Sequence, residues 1–96
     1  MVSIEISDEV LKKLAEKHSV TRKEVEECFL NHHARFFLDD REEHLTDPPT
    51  HWFIGDTNHC RQLKICFILR DKKFQIKTAF APNKDEIDLW HRLLKR

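Results

Sequence analysis

Residues 62–80 read QLKICFILRDKKFQIKTAF, and this stretch decides the fold. Gln62 to Arg70 and Lys73 to Phe80 are two runs of apolar and β-branched residues free of Gly and Pro, which suits strands. Asp71-Lys72 leaves room only for a tight turn, so the two runs form an antiparallel hairpin. Alternation is strong in the second arm. It predicts Phe74, Ile76, Thr78 and Phe80 on one face, with Gln75 and Lys77 on the other.

Upstream, Pro48 and Pro49 cannot sit inside a central strand, so a strand begins near Thr50 and runs through His-Trp-Phe-Ile to Gly55. DTNHC then turns the chain. Ala34, Phe36, Phe37 and Leu38 read as a further strand, left through the charged segment Asp39 to Asp47. Links this short exclude parallel crossovers between these strands.

Thr21 and Glu24 form a capping box at the start of a helix that runs to about Asn31, with Val25, Cys28 and Phe29 as its apolar side. Val2, Ile4 and Ile6 alternate with polar residues as a short strand does, before Ser7 or Asp8 caps a helix carrying Val10, Leu11 and Leu14. Downstream, Pro82 stops the sheet. Asn83 and Glu86 cap a last helix with Ile87, Trp90, Leu93 and Leu94 on its apolar side. The expected fold is α+β: a short N-terminal strand, two helices, an antiparallel meander of three to four strands and a C-terminal helix.

With 96 residues there is room for one core, so residues 1–96 are expected to form one domain. Seven Phe and two Trp suffice to fill it. No apolar run is long enough to span a membrane and the N-terminus has no signal-like pattern, so a cytoplasmic protein is expected. Cys28, Cys60 and Cys66 are odd in number and lack metal-knuckle spacing, which predicts free thiols. Seventeen basic residues balance seventeen acidic ones, so any nucleic-acid contact must come from a local patch.

Several segments, in order, resemble the BrnT-like branch of the RelE/ParE toxin superfamily. They are Lys17-His18-Ser19-Val20, Glu24-Val25-Glu26-Glu27-Cys28-Phe29, Asp39-Asp40-Arg41-Glu42, Trp52-Phe53-Ile54-Gly55-Asp56-Thr57, Arg61-Gln62-Leu63-Lys64-Ile65 and Ile76-Lys77-Thr78-Ala79, with Glu86 and Trp90. The similarity spans about residues 7–93. Phe80 follows Thr78-Ala79 where that family usually carries arginine, and Cys60 stands where Gly is common. The resemblance implies a toxin of a type II toxin-antitoxin system that cuts RNA without metal or cofactor. Its implied partners are a cognate antitoxin and RNA or the ribosome.

Such cleavage uses the substrate's 2′-hydroxyl, and needs a base, an acid and fixed cations around the phosphate. If Trp52 and Ile54 face the helices, period-two alternation puts His51, Phe53, Lys64, Cys66, Ile68, Arg70, Gln75 and Lys77 together on the opposite sheet face. The catalytic candidates are His51, Arg61, Arg70, Lys77 and His18. Arg61 also matches an arginine position of the family. Phe53 would stack a base and Lys64 would hold backbone phosphate. Each has a plainer reading: a solvated strand face, a surface arginine, and in His18 a residue favoured at a helix C-terminus. His32 and His33 are adjacent and point apart, no metal-binding motif appears, and the acidic run Asp39 to Glu43 lacks the Gly of a calcium loop, so no metal is expected. The alternative function is a non-catalytic protein-binding module of the same fold.

Overall fold

The computed structural model describes residues 3–32, 35–39 and 48–96. Its elements are β1 (Ser3–Glu5), α1 (Asp8–His18), α2 (Arg22–Leu30), β2 (Phe37–Leu38), β3 (Thr50–Asp56), β4 (Gln62–Arg70), β5 (Lys73–Phe80) and α3 (Lys84–Leu94). The architecture is α+β, with one five-stranded sheet in the order β1-β5-β4-β3-β2. Strands β2 to β5 form the expected antiparallel meander.

Three expectations are corrected in this fold. The sheet is mixed, because β1 joins its edge parallel to β5, with Ser3 opposite Lys73 and Glu5 opposite Gln75. The intervening helices and meander form a connection long enough to return the chain in the same direction. The strand read over Ala34 to Leu38 is confined to Phe37–Leu38, while Ala34 lies outside the described residues.

The helix ends follow the local chemistry of the sequence. Ser7 accepts the amide of Val10 at the start of α1. Thr21 and Glu24 exchange both bonds of a capping box on α2, as Asn83 and Glu86 do on α3. The turn between β4 and β5 is two residues long. Asp71 and Lys72 there have φ of 53° and 62°, as a primed hairpin turn requires.

A register shift between Cys66 and Phe67 divides the faces of β5. Cys66 pairs with Thr78 but Phe67 with Ile76, so Lys77 is the extra residue of a bulge. Thr78 and Phe80 therefore share a face with Cys66 and Lys64, whereas Ile76 lies with Phe67 on the other. Phe74 lies with Phe67 too, its ring 5.1 Å away. The expected single face of Phe74, Ile76, Thr78 and Phe80 does not exist, because the inserted residue reverses the alternation midway.

Helices cover both faces of the central strands. On one, Phe29 of α2 meets Phe53, Phe67 and Phe74 at 4.8, 5.6 and 4.7 Å between ring centres. On the other, Trp90 of α3 meets Trp52 and Phe37 at 5.8 and 5.4 Å. All residues of β4 from Leu63 to Ile68 are buried. Burial on both sides explains why β4 reads as a nearly continuous apolar run.

Candidate functional site

The residues expected to converge on one open sheet face are dispersed. His51 pairs with Phe67 and Phe53 with Ile65, which places them on the α2 side, while Lys64 and Cys66 pair with Ile54 and Trp52 on the α3 side. The expectation grouped odd-numbered residues of β3 with even-numbered residues of β4. The observed register instead pairs residues whose numbers sum to 118, so an odd residue of β3 faces with an odd residue of β4.

Each candidate then has a local setting. Phe53 is fully buried against Phe29, His32 and Phe36. His51 stacks on Phe67 at 5.9 Å, and its buried Nδ1 has no hydrogen-bond partner. Lys64 is buried, its Nζ 2.9 Å from Glu86 and 4.8 Å from the Trp52 ring centre. Arg70 and Lys77 are exposed, at the hairpin end of β4 and in the β5 bulge. His18 ends α1 with its ring 5.7 Å from that of Phe80.

Arg61 and His18 are brought together, but through a backbone carbonyl. The Arg61 guanidinium donates to the carbonyls of His18 and Ser19 at 3.0 and 2.8 Å and to the Glu24 carboxylate at 3.0 and 3.2 Å. It thus satisfies the end of α1 and joins the start of α2. The loop before it is fastened too: Thr57 accepts the amides of His59 and Arg61, and Glu27 accepts that of Asn58. For Glu24, burial raises the carboxyl pKa, but the Thr21 amide and Arg61 outweigh burial and hold it below its ordinary value of 4.5.

The thiols divide by exposure. Burial, aided by the charges of Asp56, Glu24 and Glu27, pushes the Cys28 pKa up to about 12, so this sulfur stays protonated. Cys60 is exposed and free, and its φ of 63° puts it in left-handed backbone. Among the described residues no group of three or more His, Cys, Asp or Glu is placed to hold a metal ion. Residues 40–43 of the acidic run lie outside the described residues. No helix among the described residues is long and apolar enough to cross a membrane.

A different surface has the form of a binding site. A groove of about 710 Å³ lies where β1, α2 and β5 meet, floored by Phe29, Phe36, Phe74 and Ile4. Arg22, Glu26 and Ser3 make its polar rim, and Leu30 stands at its end with 81% of its surface exposed. The capping box fixes where α2 starts and hence which side each residue takes. Val25 and Cys28 go fully into the core, whereas Arg22, Glu26 and Leu30 recur every four residues along the outward edge. A second depression, along α3, is lined by the polar and charged residues Asp85, Asp88, His91, Arg92 and Lys95.

The groove was not among the sequence candidates. Two signals for it exist: Leu30 extends the apolar character of α2 beyond its core-facing stripe, and Phe36-Phe37 is an aromatic pair of which only one can face each side of the sheet. Comparisons with known proteins add nothing to the geometry: no family model, no curated protein and no solved structure matches the chain.

Proposed function

We propose that the chain is a non-catalytic protein-binding module that takes an apolar segment of a partner into the groove between β1, α2 and β5. The observation that carries this reading is Leu30, 81% exposed beside a floor of aromatic rings. A large aliphatic side chain at the mouth of an aromatic-lined groove is the form of an interaction site. The resemblance to BrnT-like members of the RelE/ParE superfamily agrees with a partner protein, an antitoxin in that family.

Ribonuclease action draws its support from the resemblance alone, because its cations and imidazoles occupy separate settings. The test has two arms. Purified chain is incubated with RNA in EDTA, and the RNA is expected to stay intact; cleavage lost in both Arg61→Lys and His51→Gln would restore the enzymatic reading. Binding of apolar helical peptides is measured in parallel, and Leu30→Asp is expected to weaken it at least about tenfold, the scale of a hot-spot residue. Binding indifferent to Leu30→Asp would overturn the groove.

A further inference from the structure

We infer that the groove selects a basic amphipathic helix, with Glu26 as the residue that reads its charge; this rests on the protein-binding reading of the same groove. The two rim charges are not equivalent. Arg22 is tethered to β1, since its Nη2 donates to the carbonyl of Ile4 at 2.9 Å, and its Nε lies 3.8 Å from Glu26 Oε1, too far for a hydrogen bond. Glu26 has only that long contact among the described residues, and 46% of its side chain is exposed. A carboxylate has room for several donors and Glu26 takes none at hydrogen-bond distance among the described residues, so it is the rim group open to a cation.

The same bonds favour a helix over an added strand. Parallel pairing turns Ser3 toward β5, where its amide donates to Lys72 at 3.2 Å, and leaves Ile4 as the β1 residue whose backbone points outward. Arg22 already occupies the Ile4 carbonyl. An edge blunted in this way gives a partner strand little backbone to pair with. By contrast, Glu26 and Leu30 are four residues apart on α2, about 6 Å along its axis. A partner helix lying along α2 matches them with one basic and one apolar side chain a turn apart.

The test is a selection of displayed 20-residue peptides on the full chain, run in parallel on Glu26→Lys and on Glu26→Gln, each first shown to melt as the parent does. Peptides from the parent are expected to carry Arg or Lys one turn from an apolar anchor. They should lose about two- to fivefold in affinity on Glu26→Gln, the range of a rim ion pair, and the Glu26→Lys pool should turn acidic. Apolar pools without charge bias, unchanged by either variant, would overturn the inference and leave the groove standing. Pools insensitive to Leu30→Asp would overturn both. So would a dimer of the chain alone, seen in sedimentation and lost on Leu30→Asp, since a second copy would then be the occupant.

Discussion

Arg61 and Glu24 meet at 3.0 Å across 37 residues of chain, and through them the end of α1, the start of α2 and the loop before β4 become one unit. The guanidinium supplies the two carbonyls at the end of α1 with donors that no helical amide provides. Arg61→Ala is expected to destabilise the fold by about 1–3 kcal/mol, since it removes charge-assisted bonds and leaves a half-buried carboxylate behind. Urea unfolding checks this. Loss of RNA contact with no change in the unfolding midpoint would mean that Arg61 serves substrate instead of structure.

The depressed pKa of Glu24 gives that link a pH signature. A carboxyl ionised more readily folded than unfolded adds stability that is fully present above its unfolded pKa and is lost as pH falls through the folded value. Stability of the parent is therefore expected to decline below about pH 4.5, partly through this group. Glu24→Gln should flatten that part of the acid limb while lowering stability at pH 7. Identical pH dependence in parent and variant would show that Glu24 is not a contributor.

Gly55 is needed for space. A Cβ there would lie 2.8 Å from a Phe53 ring carbon and 3.2 Å from the backbone carbonyl of Cys28 in α2. Gly55→Ala is expected to cost about 1–3 kcal/mol by forcing α2 away from β3. Thermal melts measure it, and a neutral result would mean that the helix yields freely.

Left-handed backbone at Cys60 and Lys72 predicts gains. Both are exposed, with φ of 63° and 62°. Cys60→Gly and Lys72→Gly should each raise stability by about 0.5–1 kcal/mol, the relief of a strained Cβ less the added freedom of the unfolded chain. A fall in melting temperature for both would contradict the backbone assignment.

These positions show where the sequence spoke and where it was silent. The hairpin, all three helix starts and the core roles of Trp52 and Trp90 were legible, because each depends on residues within a few positions of one another. The bulge at Lys77 was not, since Phe74, Ile76, Thr78 and Phe80 keep an unbroken alternation of type while their directions reverse. The dispersal of His51, Phe53 and Lys64 was equally hidden, because pairing register is a relation between strands and not a property of either. The parallel attachment of β1 depends on three residues meeting a strand about seventy positions away. Leu30 was readable as an apolar residue beyond the core stripe, but the Phe74 it accompanies arrives from β5.

If the chain works through the α2 side of the sheet, backbone amide NMR during titration with a selected peptide shows it residue by residue. Shifts are expected to concentrate at Ile4, Arg22 to Leu30, Phe36 and Phe74, with Lys64, Glu86 and Trp90 unmoved. Shifts centred on α3 and Lys64, with the groove silent, would contradict it.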